Sequence, residues 1–214
     1  SLLHGKRFGM TVTDGMFEGA EHYASTGLAH AYASEDLAEV NRILGRQYHA
    51  VVGNPPYIVV KDAALNAAYR QRYASCHRQY SLGAPFTERF FDLALTGNGA
   101  PAGFVGLITT NSFMKREFGA KLIEQVLPRL DLSHVVDTSG AYIPGHGTPT
   151  VIIFGRHRAP VGDSVRTVMG IKGEPSTPDD PANGLVWTAI VRQVDLAGSE
   201  SEFVSVADTP RETF

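Results

Sequence analysis

The sequence predicts an α/β fold, a sheet with helices on both faces, and three observations carry that expectation. Short apolar runs of strand length recur at Tyr48–Gly53 (YHAVVG), Gly103–Thr110 (GFVGLITT), Leu132–Asp137 (LSHVVD) and Thr150–Phe154 (TVIIF). Longer stretches with a broad apolar face fall between them, at Thr87–Leu95 and Phe118–Leu130. Gly and Pro punctuate the joins. Buried strands alternating with helices describe a sheet covered from two sides.

The elements follow in order. From Leu28 to Leu44 helix formers place Leu37, Val40, Ile43 and Leu44 on one face, with Ser34 or Asp36 able to cap and Gly45 placed to stop the helix. Tyr48–Gly53 is too short for a helix and reads as a buried strand. Pro55 and Pro56 end its ladder, so Asn54 belongs at a strand's carboxyl end. Residues 61–83, polar and rich in Arg and Tyr, read as an irregular excursion or short helices. Phe90, Phe91, Leu93 and Ala94 give the Thr87–Leu95 helix its apolar face, and Gly97-Asn98-Gly99 breaks it. Pro128 closes the helix expected over Phe118–Leu130. After Arg158 the pattern changes: Pro175, Pro178 and Pro181 mark a linker-like stretch, followed by a helix over Leu185–Val194. A boundary near residue 160 therefore divides the chain into 1–160 and 161–214, the latter a linker and the start of a following region.

Composition limits the partners. With 214 residues, 43% apolar and 19% charged, the chain is an ordinary globule. A net charge of −3 gives no overall attraction for nucleic acid, so any such contact is local or made elsewhere. The single cysteine, Cys76, cannot form an intrachain disulfide, which fits a reducing, cytoplasmic setting. No run of about 18 apolar residues offers a membrane span. The start, SLLHGKRFGM, has neither a signal-peptide core nor an initiator Met, as expected of a fragment or a processed chain. The eight histidines are scattered without metal-ligand spacing, so no metal site is expected.

The tetrapeptide Asn54-Pro55-Pro56-Tyr57 carries the chemistry. An exocyclic aromatic amine is a poor nucleophile because its lone pair is delocalised into the ring. The Asn54 side-chain oxygen and the Pro55 carbonyl can each accept one N–H of such an amine, returning the lone pair to nitrogen. Pro56 keeps the turn rigid, since a proline fixes φ and brings no competing N–H. Tyr57 offers a flat surface on which a base stacks, worth about 1–3 kcal/mol. The bland alternative, a rigid turn with a packed tyrosine, stays open at this point. So do two further choices. Ser139-Gly140, Tyr142 and Gly145–Pro149 form either a structural turn or a mobile loop near the pocket. Arg70, Arg72, Arg78, Lys115 and Arg116, interleaved with Tyr69, Tyr73 and Tyr80, form either a solvated face or a phosphate-binding one.

The ordered set of segments resembles the amino-methyltransferases that use S-adenosyl-L-methionine (AdoMet). Asn54–Tyr57 after YHAVVG is similar to their motif IV, TERFFDLAL to motif V, GFVGLITTNSFMKREFGAKLIEQVLP to motif VI and its helix, and HVVDTS with TPTVIIFGR to their last strands. YSLGAPFTERFFDLA, NSFMKREFG and DTSGAYIPGHGTPTVIIFGRHRAP resemble the PglX-type methyltransferases of BREX phage-defence systems, relatives of fused restriction-modification enzymes. The resemblance implies adenine-N6 methylation of double-stranded DNA with the target adenine flipped out, other phage-defence subunits as partners, and AdoMet as cofactor. It implies that Asn54 and Pro55 hold the amine, that Tyr57 stacks on the base, and that Phe90 and Asn54 border the cofactor.

The same resemblance implies a Rossmann-like methyltransferase sheet lacking its first strands, because no Gly-rich loop after a strand precedes Asn54. Residues 1–160 are then the C-terminal part of a catalytic domain, and the fragment alone is expected to be inactive. Two alternatives share these features: a methyltransferase acting on protein glutamine, which also uses this tetrapeptide, and a non-catalytic module binding DNA or a partner.

Overall fold

The computed structural model describes residues 37–97, 101–145 and 147–213. The chain forms two compact units, residues 1–47 and residues 48–214. In the first, helix α1 (Leu37–Leu44) buries Leu44, pairs Glu39 with Arg42 one turn apart, and stops where the Gly45 N–H donates to the Asn41 carbonyl at 2.9 Å. Residues 28–36, with the expected caps Ser34 and Asp36, lie outside the described residues.

The second unit is built on six strands, β1 (Ala50–Gly53), β2 (Phe104–Thr110), β3 (Asp131–Asp137), β4 (Thr150–Arg156), β5 (Ser164–Gly170) and β6 (Val204–Pro210), in the order β1-β2-β4-β3-β5-β6. β1 runs parallel to β2 and β3 parallel to β5, while β4 is antiparallel to both β2 and β3, and β6 to β5. It follows that β1, β2, β3 and β5 all point one way. Their carboxyl ends share one edge of the sheet, and Asn54 stands on it.

Helices cover both faces, as expected, but over different strands. Helix α3 (Gly83–Leu93) lies on the face of Gly53, Thr109 and Gly155. Cβ atoms there would come within 2.6 Å of Phe90, 2.5 Å of Thr109 Oγ1 from Gly83, and 3.2 Å of Phe91 from Gly155. Helix α5 (Leu185–Gln193) covers the opposite face, packing Val186 and Ile190 on Val136, Val168, Val204 and Val206. The Glu174 carboxylate caps it, accepting from the Leu185 and Val186 N–H groups at 2.9 and 3.0 Å.

Several expectations change. The Tyr48–Gly53 strand is an edge strand, not a buried one: Val52 is 83% exposed, because no helix described in this unit covers its face. Of the two readings of residues 61–83, the structure takes the helical one: α2 (Ala63–Arg72), begun by Asp62, whose side chain accepts from the Leu65 N–H. The helix expected from Thr87 starts four residues earlier, with Pro85 tolerated in the first turn, where its missing N–H leaves nothing unsatisfied. The helix expected over Phe118–Leu130 is a broken run: α4 (Ser112–Lys115), a 3₁₀ turn Glu117–Gly119, a π turn Leu122–Val126 and a 3₁₀ turn Leu127–Arg129. Pro128 cannot donate to the carbonyl of residue 124 and crowds it, and the widened turn just before it relieves that clash. β5, beyond residue 160, pairs with β3 within the second unit.

Candidate active site

Gly53 sets the site. It ends β1, and a Cβ there would lie 2.6 Å from Phe90 Cζ, so only glycine lets that ring sit directly under the chain before Asn54. Phe90 is 4% exposed and packs edge-to-face on Phe86 with centroids 5.9 Å apart. The ring thus supports the floor beneath Asn54.

The tetrapeptide is held from both sides. β1 precedes it, and after it Val59 bridges Ser81 in antiparallel fashion while the Leu82 N–H donates to the Ile58 carbonyl at 2.8 Å. Within this frame Asn54 and Pro56 are exposed, Pro55 is buried and Tyr57 is half-buried. No backbone N–H among the described residues donates to the Pro55 carbonyl.

The Tyr57 hydroxyl donates to Asn54 Oδ1 at 2.7 Å. This bond turns the carboxamide oxygen toward the phenol and leaves it one further lone pair for an incoming donor. Burial raises the Tyr57 pKa, which keeps the phenol a donor at ordinary pH.

Beside Asn54, on the same edge, stands a polar shelf that sequence reasoning missed. Thr109, Thr110 and Asn111, at the end of β2, are buried, as are Thr138 and Thr150, whose hydroxyls meet at 2.8 Å. The Asn111 N–H donates to the Pro149 carbonyl at 3.0 Å. The available signal was the pair of polar clusters, TTN after one strand and TPT before another, where an apolar run would otherwise continue. Between them the 138–149 connection opens with the Ser139 N–H on Asp137 Oδ1 at 2.9 Å and leaves Tyr142 36% exposed. His146 lies outside the described residues.

The structure turns the tyrosines of this stretch inward, with Arg70 and Arg72 lying over the Tyr80 and Tyr73 rings. Tyr69, Tyr73 and Tyr80 are 5%, 2% and 0% exposed, core residues with no free ring face. Arg70 staples the 73–80 loop, donating to the Cys76 and Arg78 carbonyls and lying over the Tyr80 ring, and Arg72 faces Asp92 at 3.8 Å. Arg78, Lys115 and Arg116 remain on the surface.

A mixed α/β sheet with an antiparallel strand set between parallel ones thus carries an Asn-Pro-Pro-Tyr turn on its carboxyl edge. Residues 16–143 match the Eco57I restriction-modification methylase family, and the chain belongs to that family.

Named relatives agree. The chain is 54% identical over 190 residues to adenine-specific methyltransferase PglX of Streptomyces coelicolor, a match covering 86% of this chain and 16% of that protein. It is 30% identical over 178 residues to type II methyltransferase M.PaeR7I of Pseudomonas aeruginosa, covering 76% and 30%. The chain therefore spans well under two thirds of either relative. Among solved structures, a modification subunit of a putative type I restriction enzyme from Vibrio vulnificus shares its fold with a TM-score of 0.54 at 11% identity, covering 77% of this chain and 34% of that one. The type IIG restriction endonuclease BpuSI does so with a TM-score of 0.54 at 17% identity, covering 77% and 19%.

Proposed function

We propose that the protein carrying this chain methylates the N6 amine of adenine in duplex DNA, with AdoMet as methyl donor, in a restriction-modification or phage-defence setting. The observation that carries this reading is the exposed Asn54 beside a Pro55 carbonyl to which no described backbone N–H donates, on the carboxyl edge where open α/β sheets bind ligands.

The residues act by position. Asn54 Oδ1 and the Pro55 carbonyl each accept one N–H of the amine, which pyramidalises the nitrogen and aims its lone pair away from the ring. Gly53 and the Phe90 ring fix the height of the Asn54 backbone, and the bridge between Val59 and Ser81 fixes the far end of the turn. Tyr57 then lies against the extruded base, offsetting part of the few kcal/mol that unstacking costs.

When bound, AdoMet supplies an electrophilic methyl carbon on a sulfonium, which leaves without acid assistance. Asn54, exposed at the end of β1, and Phe90, packed beneath Gly53, are the residues that would border such a group. The alkylated nitrogen is acidic enough to lose its proton to water, so the chain needs no dedicated base.

The test is transfer of tritium from methyl-labelled AdoMet by the full-length protein. Label in N6-methyladenine of duplex DNA, lost in Asn54→Ala, supports the reading; label in protein instead points to glutamine methylation, and label in DNA undiminished by Asn54→Ala refutes the assignment.

A further inference from the structure

Two exposed segments meet beside the tetrapeptide, and both are basic. The first follows β2. Phe113 and Phe118 are buried at 6% and 7%, and Gly119 sits so close under the Phe113 carbonyl that any side chain there would collide with it. The turn between them is therefore rigid, and it holds Lys115 and Arg116 out in solvent, where neither finds an acidic partner among the described residues.

The second segment is the loop leading to Ser81, the residue that bridges Val59. Arg78 stands in it at φ 52, the one non-glycine residue with positive φ among the described residues. Such a conformation persists only where its surroundings enforce it, here through Arg70, whose guanidinium grips the Cys76 and Arg78 carbonyls. The Arg78 side chain reaches Glu117 at 2.8 Å, which ties the two segments together.

We propose that Arg78, Lys115 and Arg116 form a rigid knuckle that grips backbone phosphates of duplex DNA next to the base held at Asn54. The inference rests on the proposed function and adds to it the residues that hold the DNA. Of the three cations only Arg78 is paired with a carboxylate among the described residues, that of Glu117, in a chain whose net charge is −3. The local excess is therefore what a polyanion meets on this edge. Rigid presentation matters because a phosphate contact fixes register on the duplex only if the cation does not wander. Glu117 holds Arg78 in place and also weakens its attraction for phosphate.

The experiment measures binding of fluorescent duplex DNA by the full-length protein across a salt series. Lys115→Ala/Arg116→Ala is expected to weaken binding and to reduce the slope of log K against log salt by about 2, near 0.9 for each phosphate no longer neutralised. Glu117→Gln is expected to tighten binding several-fold, a gain that a merely structural ion pair would not give. Arg129→Ala, an exposed cation preceding β3 at the other end of the sheet, is expected to leave the slope unchanged. An unchanged slope in the double variant, an equal change in Arg129→Ala, or weaker binding by Glu117→Gln overturns the knuckle. If the wild type places label in DNA while the slope is unaltered, the knuckle alone fails. If the wild type binds no duplex and labels none, the knuckle and the proposed function fail together.

Discussion

The two ends of the sheet use polar side chains in opposite ways. At the amino-terminal end of β3, Asp131 accepts from Arg158 Nε and from an Arg211 guanidinium nitrogen, both at 2.8 Å, and the same Arg211 nitrogen donates to the Leu132 carbonyl. Asp131 is 9% exposed, and each of its oxygens is taken. At the carboxyl end Asn54 is exposed, accepts from the hydroxyl of a tyrosine three residues on, and keeps a lone pair in reserve. The difference is between mutually satisfied groups, which stabilise the fold, and a group with spare capacity, which is free to accept a ligand's donor.

Substitutions can break that contrast. The largest effect belongs to Asn54→Ala, expected to lower kcat by at least about 10²–10³-fold, the scale for removing one preorganised electrostatic partner, while urea unfolding stays unchanged. Next is Gly53→Ala, which drives a methyl into Phe90. It is expected to cost about 1–3 kcal/mol of stability and also to lower kcat, because the displaced strand end carries Asn54 with it. Asp131→Ala should sharpen the contrast from the other side. Leaving two arginines without their carboxylate is expected to cost stability on the order of 2 kcal/mol, discounted from the buried-pair value because Arg158 is 36% exposed, with kcat of the folded enzyme preserved. Tyr57→Ala is expected to weaken binding to the target base by about 1–3 kcal/mol of lost stacking, and Tyr57→Phe to retain most of it, read with duplexes carrying a fluorescent base at the target position.

The smallest effect is a pH dependence. Burial first, and then the Arg166 charge, hold the His134 imidazole below its ordinary 6.5, with Asp195 and Asp208 opposing. The folded state therefore binds this proton less readily than the unfolded one. Stability is expected to fall as pH drops below about 6.5 toward the lower folded value, and His134→Gln should flatten that part of the urea-midpoint profile.

How much was legible follows from where each signal resides. The turn at Asn54 was readable because two prolines after an apolar run permit few conformations, and its place at a strand's carboxyl end came with it. That β1 is an edge strand was not, since the same Val-Val pair serves a central strand whenever a neighbour covers it. The start of α3 before Thr87 was not readable either, since Gly83 is there because Thr109 leaves no room for a side chain, a contact between residues far apart in sequence. The tyrosines around Arg70 looked like an exposed platform, and only the packing of the 73–80 loop turns them inward. Likewise the bond from Tyr57 to Asn54 depends on two rotamers, which no spacing encodes. The threonine shelf lay hidden for a similar reason, because it is assembled across β2, β3 and β4.

The most direct test of the central claim is a structure of the full-length protein with AdoMet analogue and a duplex containing its target adenine. The account expects the adenine N6 within about 2.7–3.2 Å of both Asn54 Oδ1 and the Pro55 carbonyl, with the Tyr57 ring flat against the base. An extruded adenine whose amine points away from both oxygens, or a Pro55 carbonyl bonded to the protein's own backbone in that complex, would contradict it.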